Sequence, residues 1–160
     1  IGWSFYHLGY LAHLRGDHAQ AEQWLQESLE IWHELGDPWG LLFAMNGMGH
    51  TAVALGKHKE ARAYLGQVME KALARRTVAV ALRALVGWAA LVAQAGELEQ
   101  AVELLTLVRC HPAAEHMTQD QAACLLADLA PGLSPQQQAA AEERGKARTL
   151  QEIVEEITAK

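Results

Sequence analysis

The chain has 160 residues, 51% hydrophobic and 20% charged, the composition of an ordinary folded protein rather than a disordered one. Its 13 Lys and Arg are scattered among 19 Asp and Glu for a formal charge of -6, which excludes a concentrated basic face for nucleic acid and leaves a solubilising acidic surface. No apolar run approaches the roughly 20 residues of a membrane span, since the richest, Thr77 to Ala95, is broken by Arg83 and Gln94.

Four Pro and a wealth of Ala, Leu, Glu and Gln predict an all-α chain. It starts Ile1-Gly2-Trp3 without an initiator Met, so a piece of something longer is expected. In the first unit, about residues 1–37, Phe5, Leu8, Gly9, Ala12 and Leu14 form a mainly apolar helical stripe. The chain then turns at Gly16-Asp17-His18, and Ala21, Leu25, Ser28, Leu29 and Trp32 form the stripe of a second helix. Gly16 is suited to the left-handed dihedral that ends one helix, and Asp17 to capping the next.

The second unit, about 38–76, opens with Asp37 as N-cap and Pro38 at the first helical position. Met45, Met48, Gly49 and Ala52 precede a turn at Gly56, and Ala61, Leu65, Val68 and Met69 follow it. The third unit, about 77–110, repeats the plan with Leu85, Trp88, Ala89 and Val92, then Gly96, then Ala101, Leu105 and Val108. Gly16, Gly56 and Gly96 stand 40 positions apart, as do Ala21, Ala61 and Ala101, and Leu25, Leu65 and Leu105. The small residues Gly9, Gly49 and Ala89 should let the two helices of each hairpin approach closely. One hairpin cannot bury its own apolar face, so stacking must supply the core. Trp24, Trp32 and Trp88 fall on the packing stripes or at unit junctions and are expected in that core.

The period stops at Cys110-His111-Pro112. Residues 111–160 carry three shorter helical patterns, with predicted capping boxes at Thr118/Gln121, Ser134/Gln137 and Thr149/Glu152. Pro131-Gly132 should end the first of these helices, and Gly145 should end or interrupt the second. Gln136 to Gln138, Glu142, Glu143 and Arg144 suit the polar outer face of a C-terminal helical cap packed on the repeats. Cys110 and Cys124 make no disulfide framework; with no secretory signal they point to a reducing cytoplasm and are expected as buried free thiols. With His111 and His116 they lack the short paired spacing of a zinc site, so no metal or cofactor is expected.

The Leu8-Gly9, Gly16, Ala21, Leu25 series resembles the tetratricopeptide repeat. It recurs as Met48-Gly49, Gly56, Ala61, Leu65 and, more loosely, as Trp88-Ala89, Gly96, Ala101, Leu105. The resemblance covers roughly residues 2–110 and implies an α-α solenoid of three 40-residue hairpins. The usual repeat has 34 residues; the surplus is expected to lengthen the second helix of each hairpin and the loop after it, around Trp32–Gly36 and Lys71–Thr77. More narrowly, Ala101-Val102-Glu103-Leu104-Leu105, His111-Pro112-Ala113, Arg144-Gly145-Lys146-Ala147 and Leu150-Gln151-Glu152 look like the C-terminal sensor region of large bacterial signal-transduction ATPases and multidomain transcription regulators. In that family the repeat region senses a small molecule or protein and controls an upstream nucleotide switch. The chain itself holds no Gly-rich phosphate loop.

The resemblance also implies that the first helix of each hairpin lines the concave surface, with its unpacked side exposed. Those positions are Trp3, Tyr6, Tyr10 and His13, then Phe43, Asn46, His50 and Val53, then Arg83, Val86, Ala90 and Ala93. Tyr6, Tyr10, His13, Asn46, His50 and Arg83 are the expected contacts for a protein, a peptide or a small-molecule inducer, with Arg83 as anchor for a carboxylate or phosphate. Trp3 and Phe43 are alternatively expected to stack against a further repeat or a second copy, so self-association stays open. His13 and His50 could make binding pH-dependent near neutrality.

No catalytic constellation emerges. Ser4 and Ser28 have no matched His-Asp pair, Ser134 serves as a cap, and Glu99 with Glu103 reads as a solvated outer face. The expectation is a non-catalytic binding module: a sensor segment of a larger regulator, or a plain adaptor.

Overall fold

The computed structural model describes residues 1–159, and among these the secondary structure is helical throughout. Three successive helix pairs run α1 (Gly2–Leu14) with α2 (His18–Leu35), α3 (Pro38–Ala54) with α4 (His58–Ala74), and α5 (Val78–Gln94) with α6 (Leu98–Cys110). Then come α7 (His116–Leu129), a 3-10 turn over Ala130–Gly132, α8 (Pro135–Ala147) and α9 (Leu150–Thr158). Each of the first six helices packs on its chain neighbour, while α1 also touches α3 and α3 touches α5, which is a stacked, solenoid-like order.

The turns follow from local chemistry. Gly16, Gly56 and Gly96 take φ of 81°, 71° and 88°, a left-handed conformation that costs glycine little. Asp17 accepts from the Gln20 amide, and Asp37 accepts from Trp39 N at 2.8 Å and Gly40 N at 3.2 Å. The junction after α2 ends on Gly36 with φ 64°; one period later the same left-handed step is made by Arg76, φ 58°. The surplus over the usual repeat length goes into both helices of a hairpin. α3 and α4 have 17 residues each, and the connections between hairpins remain two or three residues long.

The expected stripes build the core. Leu25, Leu65 and Leu105 are fully buried, as are Ala21, Ala61 and Ala101; burying a leucine side chain contributes roughly 1.5–3 kcal/mol. Close approach within a hairpin depends on the small residues, since a Cβ on Gly9 would stand 2.6 Å from Leu25 Cγ and one on Gly49 2.6 Å from Leu65 Cδ2. The Trp32 indole is wedged between Gly2 of α1 and Gly40 of α3 in the same way. Trp32 and Trp88 are buried, whereas Trp24 is half-buried and stacks on Phe5 with ring centroids 5.5 Å apart.

The last three helices do not continue the stack. α7 and α8 lie on α6, α7 also reaches α5, and α9 returns to α4 with Leu150, Ile153 and Val154 buried. The capping boxes at Ser134/Gln137 and Thr149/Glu152 form as expected. Four local expectations are overturned. Thr118 does not cap: α7 starts at His116, Glu115 occupies the N-cap position, and Thr118 is buried inside the helix. Gly145 neither ends nor breaks α8. It lies buried within it, where a Cβ would come 2.4 Å from the Glu103 carbonyl oxygen, so the glycine lets α8 rest on the backbone of α6. Glu103 is not on a solvated face but buried under α8, accepting from Arg144 Nε at 3.1 Å and Arg148 Nη1 at 2.9 Å. Both cysteines are exposed rather than buried, Cys110 at the end of α6 and Cys124 on the outer side of α7.

Candidate functional site

A 40-residue period puts equivalent side chains of successive first helices side by side. Trp3, Phe43 and Arg83 are one such row. The Trp3 and Phe43 rings meet edge to face at 5.4 Å, and the Arg83 guanidinium carbon lies 5.5 Å from the centre of the Phe43 ring. Tyr6 and Tyr10, four residues apart on α1, lie near parallel with centroids 6.3 Å apart, and Tyr6 also meets Phe43 edge-on at 5.9 Å. Together they wall one side of a cleft of about 390 Å³.

Tyr6, Tyr10 and His13 from α1, Asn46 and His50 from α3, and Arg83 from α5 all line this cleft, as do Trp3 and Phe43. The surface expected to continue past them does not open: Val53 and Val86 are buried, and Ala90 and Ala93 are half-buried. The opposite wall comes from α7, through Met117, Thr118 and Gln121, and His7, Leu25, Gly47 and Thr51 complete the lining. The α7 wall has no signal in the repeat pattern. Its approach depends on the direction in which the chain leaves His111-Pro112, where His111 is extended with ψ 127°. His7 sits next to the expected face and shows only once the aromatic cluster is assembled, its ring 5.3 Å from that of Tyr6.

Two polar contacts tie the start of α7 to the cleft, beside its packing on α5 and α6. Arg83 Nε donates to Glu115 Oε2 at 3.0 Å, and a guanidinium Nη2 reaches the same oxygen. The Tyr10 hydroxyl donates to Met117 Sδ at 3.0 Å. The expected anion anchor is thus already engaged by a carboxylate of its own chain, from the residue at the N-cap position of α7.

The floor is polar but uncharged at neutral pH. His50 Nε2 lies 2.9 Å from the carbonyl oxygen of Arg83, and because a carbonyl only accepts, Nε2 carries the hydrogen and Nδ1 is the free acceptor. Burial lowers the His50 pKa, and the neighbouring Arg83 charge adds to this against the opposing carbonyl contact. His13 Nδ1 lies 3.3 Å from Thr51 Oγ1, and burial, then His50 and His18, push its pKa down to about 4. The expectation of titration near neutrality is therefore corrected for both rings. Burial raises the Tyr6 phenol, only partly offset by Arg83. Asn46 is 7% exposed, and its side-chain oxygen has no hydrogen-bond partner.

A second hollow, of about 580 Å³, lies between α4, α5, α6 and α9, with Arg62 over the Trp88 ring at 5.4 Å and Glu70, Glu97 and Glu156 around it. Among the described residues none on its walls carries a buried, unpartnered polar group, which makes it the weaker candidate. Among the described residues no group of three or more His, Cys, Asp or Glu is placed to hold a metal ion, and no helix is long and apolar enough to cross a membrane.

Residues 1–74, which make up α1 to α4, match the sequence model of the tetratricopeptide repeat family; α5 and α6 lie outside the match although they keep the period. The comparisons with curated proteins and with solved structures each give no match.

Proposed function

Proceeding from tetratricopeptide-like repeats over residues 1–74, we propose that the chain is a non-catalytic binding module whose cleft between α1, α3, α5 and α7 receives a ligand, and that it serves as the sensor segment of a larger bacterial signalling ATPase or transcription regulator. The observation that carries this reading is the way α7 is held. Its first residues rest on Arg83 and Tyr10, which are themselves cleft residues. A molecule entering the cleft meets both contacts and can bias the position of α7, which is what a sensor requires and an adaptor does not.

The test is a thermal-shift screen of metabolites and short peptides against the wild type and Tyr10→Ala, followed by hydrogen exchange on any hit. A ligand at about 100 times its Kd should stabilise by roughly 2.7 kcal/mol, lose this in Tyr10→Ala, and change exchange along α7. Hits that bind both proteins equally would remove the cleft from the function. Hits that need Tyr10 but leave α7 exchange unchanged would favour the adaptor.

A second reading, self-association, is favoured by one observation. Leu8 and Leu11 on α1 are 45% and 48% exposed, while their equivalents one period on, Met48 and Thr51, are 5% and 1% exposed. The first hairpin therefore offers a face that each later hairpin buries, one that a further repeat or a second copy would cover. Trp3 and Phe43 lie in the cleft, so the residues to test are Leu8 and Leu11. Leu11→Glu should convert a concentration-dependent dimer to a monomer in sedimentation; a wild type that is monomeric at high concentration ends this reading.

A further inference from the structure

We infer that the cleft takes an uncharged, flat aromatic small molecule carrying an amide-like N–H donor, stacked among Tyr6, Tyr10 and Phe43 and hydrogen-bonded to Asn46. The inference rests on the cleft reading above and adds the class of ligand. Three observations lead to it.

The shape is that of a small-molecule site. α7 closes the side that a continuous peptide groove would leave open, and about 390 Å³ lies in the range of clefts that enclose small ligands. The walls are aromatic faces and edges, which favour a planar guest by stacking.

The charge is balanced. An aromatic enclosure can hold a cation, but the face of Phe43 already has Arg83 beside it, and that positive charge opposes a second one. An anion would have to share Arg83 with Glu115, which already accepts from both its Nε and an Nη. The two imidazoles of the floor are neutral at pH 7, and His50 is tied to the Arg83 carbonyl. A charged guest would give up water for no free counter-charge.

The last observation is Asn46. The residue lines the cleft and is 7% exposed, and its oxygen is sealed from solvent with no partner in the protein, so a turn of the amide toward the cleft is what offers that oxygen to a guest. Buried acceptors are ordinarily satisfied, and an empty one marks a place where a donor gains. A side-chain amide pairs best with a group offering both N–H and C=O in one plane.

The experiment uses the full chain with methyl-labelled Met. Met117 reports the cleft, and the buried Met69 serves as control. Four probes share one ring and differ in charge and amide: indole-3-acetamide, indole-3-acetate, tryptamine and 3-methylindole, titrated at pH 7. The expected result is a Met117 shift with indole-3-acetamide at a Kd about tenfold or more below those of both ions. Its advantage over 3-methylindole should be about five- to tenfold and vanish in Asn46→Ala. Tighter binding of the acetate, with Arg83 leaving Glu115, or of tryptamine overturns the neutral class and leaves the cleft standing. An amide advantage that persists in Asn46→Ala overturns the anchor. The four-probe comparison on the wild type decides the charge class even where that variant fails to fold. No Met117 shift with any probe overturns the ligand class, whereas the cleft reading itself falls only on the Tyr10→Ala criterion.

Discussion

Arg83, in the first turns of α5, and Glu115, the residue ahead of α7, form an ion pair that bridges the stacked hairpins and the helix that crosses them. Glu115 is nearly half exposed, and pairs of this kind contribute about 0–1 kcal/mol. Glu115→Gln is therefore expected to change global stability by less than about 1 kcal/mol in urea unfolding while raising amide exchange in the first turn of α7. Unchanged exchange there would mean that packing of Thr118 and Ala122, not the ion pair, positions the helix.

The contrast between two helical glycines makes a sharper test of packing. A Cβ on Gly40 would lie 2.1 Å from Trp32 Cδ2, whereas one on Gly66 meets nothing nearer than Trp88 Cζ3 at 3.9 Å. Gly40→Ala should destabilise by about 1–3 kcal/mol through overpacking. Gly66→Ala should stabilise by roughly 0.5–1 kcal/mol, because alanine costs less backbone entropy in a helix. Chemical denaturation of both variants checks the pair, and a neutral Gly40→Ala would show that the indole can shift.

Arg76 makes with a side chain the left-handed step that Gly36 makes without one. The hydrogen bonds agree, with Arg76 N to Leu73 O at 2.9 Å and Thr77 N to Ala72 O at 2.8 Å matching Gly36 N to His33 O and Asp37 N to Trp32 O. Left-handed geometry costs a non-glycine residue about 1 kcal/mol or more. Arg76→Gly is expected to raise stability by roughly 0.5–1 kcal/mol after the unfolded-state entropy of glycine is counted. A loss of stability would point to an uncounted role for the guanidinium.

Stability should also depend on pH through the cleft histidines. The His13 pKa falls from 6.5 to about 4 on folding, so between these values the unfolded chain binds more protons than the native one. Stability is then complete above about pH 6.5 and falls as the pH drops toward 4. Discounted for the partial exposure of the ring, the loss is about 1–2 kcal/mol, with His50 acting in the same direction. Urea midpoints at pH 7 and pH 5 should differ, and His13→Gln should reduce the difference. An equal difference in the variant would move the effect to other groups.

The chain states its helices and turns in local terms. Three- and four-residue spacing of apolar side chains, glycine where φ must be positive, and Asp or Ser one step before a helix all act within a few residues. The 40-residue period extends that legibility to the stack, because identical units must bury identical stripes, and it also places Trp3, Phe43 and Arg83 in one row. Glu103 and Gly145 read differently. Their spacing suits a solvated face and a helix end, and only the arrival of α8 over α6 makes one a buried ion-pair centre and the other a contact point. The far wall of the cleft is decided the same way. Met117, Thr118 and Gln121 obey no repeat, and what brings them to Tyr10 and Arg83 is the angle at which one short link leaves α6, a property of packing between elements distant in sequence. The residues that line the cleft from α1, α3 and α5 were thus readable from the period, whereas the closure of the cleft and the occupation of Arg83 by Glu115 arise only when α7 folds back, and the lowered pKa of the two histidines only when the hairpins stack and bury them.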